Sequence, residues 1–465
     1  MNKDSVLKLE EILKEYIREE GVPGMAVGIV KGKETLLRSF GVRSIASKEK
    51  VNQNTIFHMA SVSKTMLATA MMCLVEKGKI QLDSSIGEVL PYFTIADGKE
   101  REITIRRALS HTSGLTYTDD SEWEKEISDE GALERYVRSL GHVERLLEPD
   151  QQFYYNNTLY DVLGDVISKV YGASFEKAVE ELVLQPLKMH RSTFLKSDIS
   201  DDNAASPHVM TTKNNVGVTV SDVYPYNRMH APCSSLHSCT EDLVRFIRFY
   251  TEGEEEFIKR KTINKFLQPV QQISEEPPTY MGLGWFLSEY KGEPIHYHSG
   301  GDTGFNTKLI ILPGKRAGAV FMCNADYVDV DQLTSLMLAF LSDEPLSPMI
   351  PSYRGRVIRA VREKNASDLK ESMSVLMSRR EEVSIKKDIS RLMNLLIEEK
   401  EFDSAQSILT QAQIRFPGDP LILTLEAQLL ASSGQKEVAR NKFRELLIVS
   451  PGNYDAYRES NKESS

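Results

Sequence analysis

Cysteine is scarce in this chain. Cys73, Cys233, Cys239 and Cys323 are scattered through 465 residues with no C-x-x-C pair and no histidine at ligand spacing. This excludes a disulfide framework and a cysteine-based zinc site, and leaves free thiols in a reducing compartment as the expectation. No H-E-x-x-H helix occurs and the nine histidines are dispersed, so neither a metal nor a cofactor is expected. A block of basic charge is missing too. The 57 basic and 67 acidic residues give a net charge of -10, with no stripe that could track phosphates, which excludes nucleic acid as a partner. No run of about 18 apolar residues exists, so no membrane span is expected. The first twenty residues, MNKDSVLKLEEILKEYIREE, carry charge throughout and lack the apolar centre and small-residue cleavage site of a signal peptide. These exclusions together point to a cytoplasmic protein.

What is present begins with that same stretch, which reads as a surface helix with Val6, Leu7, Leu9, Ile12, Leu13 and Ile17 near one face. Residues 24–40, GMAVGIVKGKETLLRSF, are two β-prone runs joined at KGK, a hairpin. Strand signals return between Trp285 and Asn324, with turns at YKGE and PGKR, and predict three or four further strands. The sequence between reads as helix or loop. It includes TMLATAMMCLVEKG, TIRRALSHTSG, LYDVLGDVISKVYG and TEDLVRFIRFY, with Gly78 and Gly172 placed as C-caps. Strands, then helices, then strands, without βαβ alternation, predict an α+β fold with one antiparallel sheet shared by both ends of the segment.

Pro345, Pro348 and Pro351 crowd one short stretch, and helix-rich charged sequence follows it. The expected domains are 1–343, a proline-rich linker 344–354, and an all-α region 355–465. Within the tail an offset of 34 superimposes Ala405 on Ala439, Leu409 on Phe443, Pro417 on Pro451 and Gly418 on Gly452. Paired helices at this period resemble the tetratricopeptide repeat. Two repeats bury little apolar surface alone, so residues 355–388 are expected to supply a degenerate third unit, or the array to lean on the front domain. Such a tail implies a protein partner or self-association.

One short stretch concentrates chemistry. HMASVSKTMLATAMM, residues 58–72, sets Ser61 three residues before Lys64 at the start of an apolar helix. Residues i and i+3 share a helix face, so Ser61 rather than Ser63 meets the lysine. The same spacing recurs at Ser47, Ser174, Ser288 and Ser433, and by itself means no more than a capping serine with a solvated lysine. At Ser61 the lysine lies one turn into an apolar helix, where burial and the positive helix end both favour the neutral amine. Neutralising a lysine at pH 7 requires about 4 to 5 kcal/mol. A helix end supplies only about 0.3 to 1 kcal/mol, so a second titrating group is needed.

The blocks VPGMAVGIVKGKE, FGVRS, TIFHMASVSKT, VEKGKIQLDSSIGEVLP, ITIRRALSHTSGL, FYYNNTLYDVLGDVISKVYG, LVLQPLKMHRSTF, GLGWF and HYHSGGDTGFNTKLIILPGKRAGAVFMCN supply further candidates. In this order, over about residues 20–325, the chain resembles the serine β-lactamase-related family, which includes class C β-lactamases, penicillin-binding-protein-like D-peptidases and esterases. The resemblance implies that family's fold, an antiparallel sheet flanked by helices with a largely helical subdomain. It makes Ser61 the acylated nucleophile, Lys64 its proton acceptor and Tyr155 a proton shuttle. Asn157 would bind the substrate amide or carbonyl, and His298, Ser299 and Gly300 would form the strand that lines the substrate. The oxyanion hole would be the backbone N–H groups of Ser61 and Gly301. Acyl transfer needs just such a set of groups: a nucleophile with a base, a group that protonates the leaving atom, and two donors at the developing oxyanion. Tyr155 and Lys64 can share one proton as a coupled pair. His111, in SHTSG, is expected to hold structure by hydrogen bonding.

Three positions depart from the family pattern. His298 stands where many β-lactamases have lysine, and a neutral imidazole at pH 7 weakens carboxylate recognition. Asn156 replaces a frequent serine, and CSSLHSC lacks the paired glycines of many members. The expected activity is hydrolysis of a small ester or amide, including a peptide with D-residues, through an acyl-serine. Transfer of the same acyl group to another acceptor, β-lactam turnover or penicillin binding, and a non-catalytic ligand-sensing scaffold with a peptide-binding tail remain as alternatives.

Overall fold

A computed structural model describes residues 1–115, 122–123, 125–214, 217–253, 257–350, 352, 354–378 and 382–449. Contacts divide the chain into two units. The first comprises Met1–Ile17, Val22–His208 and Val220–Ser347; the second comprises Arg18–Gly21, Val209–Thr219 and Pro348–Ser465. The second unit therefore takes in two short pieces of the front half that nothing in their composition marks.

The first unit is built on an eight-stranded antiparallel sheet. Its strands are β1 (Gly24–Lys31), β2 (Glu34–Gly41), β3 (Gln271–Glu275), β4 (Pro278–Met281), β5 (Phe286–Tyr290), β6 (Glu293–Asp302), β7 (Phe305–Leu312) and β8 (Ala317–Cys323), in the order β2-β1-β8-β7-β6-β5-β4-β3. The N-terminal hairpin joins the C-terminal strands through β1 and β8, with Met25 opposite Cys323 and Lys31 opposite Ala317. One sheet shared by both ends is what the strand distribution predicts. β3 and β4 fall in the stretch that the sequence leaves as helix or loop. Their residues, QQISE and PTYM, are polar or proline-bearing, half-buried at the sheet edge, and lack the apolar alternation that marks a strand.

Helices α1 (Lys3–Glu20), α2 (Ser63–Glu76), α3 (Asn157–Tyr171), α4 (Thr240–Glu252) and α5 (Val330–Leu341) complete the frame. α4 packs on β1 and β8, and α5 on β7 and β8. α1 buries Leu9, Ile12, Leu13 and Tyr16, whereas Leu7 is 49% exposed. Tyr16 lies on the face of Leu9, Ile12 and Leu13, where its hydroxyl accepts from the Asp329 N–H at 2.7 Å, and Leu7 falls on the opposite side of the helix. α2 is buried on every side from Ser63 to Leu74, as a helix apolar all round must be. It is tied across the core by Thr69, whose hydroxyl lies 2.8 Å from that of Tyr250 on α4, which in turn accepts from the Trp285 indole at 3.2 Å.

The second unit carries α6 (Arg354–Arg362), α7 (Ala366–Ser378), α8 (Glu382–Glu398), α9 (Phe402–Arg415), α10 (Pro420–Ser432) and α11 (Lys436–Val449). Ala405, Leu409, Ala439 and Phe443, paired by the 34-residue offset, are all buried. Pro451 and Gly452 lie outside the described residues. Glu20 and Arg354 form an ion pair at 2.8 Å, each 3% exposed, with Asp388 3.6 Å from the same guanidinium. The Glu399 carboxylate accepts from the Thr211 hydroxyl at 2.8 Å and from the Thr212 N–H at 3.0 Å. These contacts are what gather residues 18–21 and 209–219 into the helical unit.

The four cysteines are buried and unpaired, and among the described residues no helix is long and apolar enough to cross a membrane. Burial pulls five of the nine histidines toward the neutral form: His111 and His237 fall well below their ordinary pKa, His208 is lowered, His296 falls to about 4 and His298 to about 3.

Two predictions follow from this burial. Unfolded, these histidines bind protons below about pH 6.5; folded, they resist. Stability should therefore rise with pH from about 4 to 6.5 and flatten above, which urea unfolding at stepped pH will show. Arg354→Ala should destabilise the helical unit by about 3 to 5 kcal/mol, because it removes the cation that faces two buried carboxylates. Hydrogen exchange in α6–α8 is the measurement that checks it.

Candidate active site

The turn that carries Ser61 is held from both sides. Phe57–His58 pairs with His237–Ser238, and the Met59 N–H donates to the Leu236 carbonyl at 2.7 Å. The chain then tightens into a 3₁₀ turn, Ala60–Val62, with Ala60 at φ +47, before α2 begins at Ser63. A non-glycine residue in this region stores strain beside the reactive position. Ser61 thus stands one turn ahead of the helix proper, not inside it, yet the i, i+3 relation survives because the turn runs directly into α2. Ser63 is occupied structurally: it donates to the Ala60 carbonyl at 2.5 Å and accepts from the Leu236 N–H at 2.8 Å. Ser61 is half-buried, and the Lys64 ammonium donates to its Oγ at 2.9 Å and to the Cys233 carbonyl at 2.8 Å.

Lys64 is wholly buried, and here the structure corrects the sequence. Burial, the largest influence, pushes its pKa down. The negative charge that Tyr155 and Cys233 can carry, a hydrogen bond with Tyr155 and the charge of Asp161 outweigh it, and the net direction is upward. The Cys233 thiol is itself pushed well above its ordinary pKa by burial. The groups around the amine therefore favour its protonated form. Lys64 Nζ lies 5.0 Å from the centre of the Tyr155 ring and 5.5 Å from that of Tyr160.

Tyr155 sits in the extended segment before α3. Its ring packs 4.5 Å from that of His111 and 6.5 Å from Phe286, centre to centre. Asn156, next in the chain, caps α3 by accepting from the Leu159 N–H at 2.8 Å. Its side-chain amide donates to the Leu115 carbonyl at 3.0 Å, and its backbone N–H donates to His111 Nδ1 at 3.0 Å. The departure from serine at this position is thus an N-cap that fixes Tyr155, and asparagine directly before an apolar-periodic run was the signal for it. The hydrogen bond expected of His111 is the one to the Asn156 amide. Asn157 begins α3, with its side-chain carbonyl buried and lacking a hydrogen-bond partner among the described residues.

β6 closes the site opposite. A Cβ on Gly300 would lie 2.2 Å from the Met59 carbonyl oxygen and 2.5 Å from Thr307 Oγ1. Only glycine lets the strand come this close to the nucleophile turn, and the Thr307 hydroxyl donates to that carbonyl at 2.8 Å. His298 is buried, and Ser299 is half-buried beside it. The His298 Nδ1 lies 2.8 Å from the Ser299 carbonyl. A carbonyl only accepts, so Nδ1 carries the proton and Nε2 is left as a lone-pair acceptor, buried and without a partner among the described residues. Burial first, then the Lys64 charge, lowers its pKa to about 3. His298 is therefore a neutral acceptor, as its reference pKa suggested. Gly301 is exposed at the mouth, one residue beyond the contact.

The structure brings Ser61, Lys64, Tyr155 and His298 into one cluster, with Asn157, Ser299, Gly300 and Gly301 on the elements that border it. The CSSLHSC segment forms another wall through the Cys233 carbonyl and the Leu236 N–H. Backbone groups leave no trace in residue type, which is why this wall was not legible as part of the site.

The family profile described as Beta-lactamase matches residues 9–342. Protein flp of Staphylococcus aureus (strain COL) is 24% identical over 360 residues, 76% of this chain and 71% of that one. The octameric penicillin-binding protein homologue from Pyrococcus abyssi superimposes with a TM-score of 0.66 at 25% identity, covering 77% of this chain and 82% of that one. A D-stereospecific amidohydrolase from Streptomyces sp. shares the fold, with a TM-score of 0.60 at 24% identity over 72% of this chain and 98% of that one. The matched span takes in the whole sheet, the turn of Ser61, the Tyr155 segment and the His298 strand, and on that extent the chain belongs to the Beta-lactamase family.

Proposed function

We propose that this protein is a serine hydrolase that opens a small ester or amide through an acyl-Ser61 intermediate. The observation that carries the reading is the 2.9 Å hydrogen bond from a wholly buried Lys64 to Ser61 Oγ. An ammonium this enclosed, bonded to a half-exposed hydroxyl and coupled to a phenol, matches the needs of an activated nucleophile.

In the reaction, Ser61 Oγ attacks the substrate carbonyl and gives its proton to the Lys64–Tyr155 pair. The tetrahedral oxyanion is received by the N–H groups of Ser61 and Gly301. The pair returns the proton to the leaving oxygen or nitrogen as the bond to carbon breaks, which leaves the acyl-Ser61 ester. Water then adds to the ester, passing its proton back along the same route, and the acid product leaves. Asn157, with its unpartnered carbonyl, orients the substrate's amide N–H. His298 accepts from a substrate donor through Nε2 and offers no cation to a carboxylate, which favours neutral esters and amides over acidic β-lactams. The fold-level likeness to an amidohydrolase acting on D-compounds supports including D-aminoacyl amides among the substrates. The buried 34-residue pairing in the tail supports a tetratricopeptide-like role in binding a protein partner or a second copy.

A fluorophosphonate probe should label the wild-type chain at Ser61, as read by peptide mass, and should not label Ser61→Ala. Tyr155→Phe should lower kcat on a p-nitrophenyl ester about 100-fold or more while leaving the circular dichroism spectrum unchanged. Equal labelling of wild type and Ser61→Ala would sink the assignment.

A further inference from the structure

β6 ends one residue beyond Gly301, in Asp302, a residue for which the acyl-transfer steps have no task. Alternate residues of a strand share a face, so His298, Gly300 and Asp302 look the same way. Gly300 shows which way that is, since its missing Cβ would meet Met59 and Ala60. His298 therefore borders the nucleophile turn on the Lys64 side. Asp302 borders it on the other side, about 7 Å along the strand from Gly300 at ~3.4 Å per residue.

The Asp302 carboxylate is positioned by groups that also hold that turn. Oδ2 lies 2.7 Å from His58 Nε2 and accepts from the Ser234 hydroxyl. His58 directly precedes Met59, and Ser234 follows Cys233, whose carbonyl binds Lys64. Both anchors are buried. Oδ1 has no hydrogen-bond donor among the described residues, and the side chain keeps 15% exposure. Its one ionic neighbour among the described residues is His58. The nearby lysines lie over aromatic rings instead, Lys196 at 4.4 Å from the Tyr224 ring and Lys308 at 4.1 Å from the Tyr297 ring. A carboxylate fixed through one oxygen, with the other oxygen unengaged at the cleft mouth, is preorganised to receive a cation.

We propose that Asp302 binds the ammonium group of the substrate, so that the acyl group passed to Ser61 is an aminoacyl or short peptidyl group with a free amine. This rests on the acyl-serine reading above. The geometry suits it: with the carbonyl oxygen at the N–H groups of Ser61 and Gly301, an α-amino group two bonds from the carbonyl carbon lies within about one residue length of Asp302. A cationic acyl group also suits a cleft in which His298 is neutral and Lys64 has its donors taken.

The test uses the full chain and matched p-nitroanilides: D-alanyl, L-alanyl, their N-acetyl forms, and propionyl, which replaces the amine by a methyl group. At least one alanyl substrate should exceed its N-acetyl and propionyl counterparts about tenfold or more in kcat/KM, and added salt should shrink that ratio. Asp302→Asn should bring the ratio close to one. The ratio is the readout because loss of a binding residue lowers every rate. If Asp302→Asn does not fold, the alanyl-to-propionyl ratio of the wild type at low and high salt decides alone. An unchanged ratio in a folded Asp302→Asn, a preference for the uncharged substrates, or Ser61 labelling by fluorophosphonate without turnover of any alanyl substrate overturns the proposal and leaves the acyl-serine reading standing. Absence of Ser61 labelling overturns both.

Discussion

An ammonium group shut away from water must have every N–H donor satisfied and some negative charge within reach, and Lys64 imposes that constraint on everything around it. Two donors go to Ser61 Oγ and the Cys233 carbonyl, and the Tyr155 ring lies 5.0 Å from the same ammonium. Each of these partners comes from a different part of the chain. The helix that carries Lys64 is apolar all round and so must run through the core; the Cys233 carbonyl must be brought over it; and Tyr155 must be stacked in place. The His111 ring and the Asn156 cap do the stacking. A site assembled this way cannot form before the fold does.

The same constraint explains why the sheet draws on both ends of the unit. β6 has to reach the nucleophile turn, and it does so at Gly300, where the Thr307 hydroxyl bonds to the Met59 carbonyl. β6 is steadied by β7, β7 by β8, and β8 by β1 of the N-terminal hairpin. The hairpin is thus the far end of a lever whose near end seats Ser61. This physical chain accounts for a family pattern spread over some three hundred residues instead of one compact motif.

Much of this could be read from the sequence because strong local signals agreed with the fold. The KGK hairpin, the strands after Trp285, the glycine caps and the helix at Ser63 each obey a periodicity or turn rule that tertiary contacts did not override. The failures share one cause. β3 is the edge strand and β4 lies between it and β5, and their pairing comes from neighbours that their own composition does not signal. Tyr16 joined the buried face of α1 through a hydrogen bond to a residue three hundred positions away. The upward direction of the Lys64 pKa was missed because burial, the visible effect, is opposed by the several charges gathered around the amine. Residues 18–21 and 209–219 joined the helical unit through two carboxylates, the buried Glu20 and the half-buried Glu399, that read as ordinary surface charge.

The charges of the cleft form a consistent set. Lys64 holds a fully buried cation and directs it inward, to the nucleophile and the phenol. A lysine at position 298 would have placed a second cation about one strand pair away, facing the substrate and competing with Lys64 for Tyr155. Histidine there, kept neutral by burial and by Lys64 itself, removes that competition and leaves the substrate side without positive charge. The carboxylate at Asp302, held by His58 and Ser234 on the opposite flank of the turn, then sets the sign of the cleft mouth. With the positive charge committed to chemistry and the negative charge left to recognition, the field along β6 runs from the reacting hydroxyl toward an anionic mouth, and a substrate with its amine next to the scissile carbonyl would lie along that field in one orientation only.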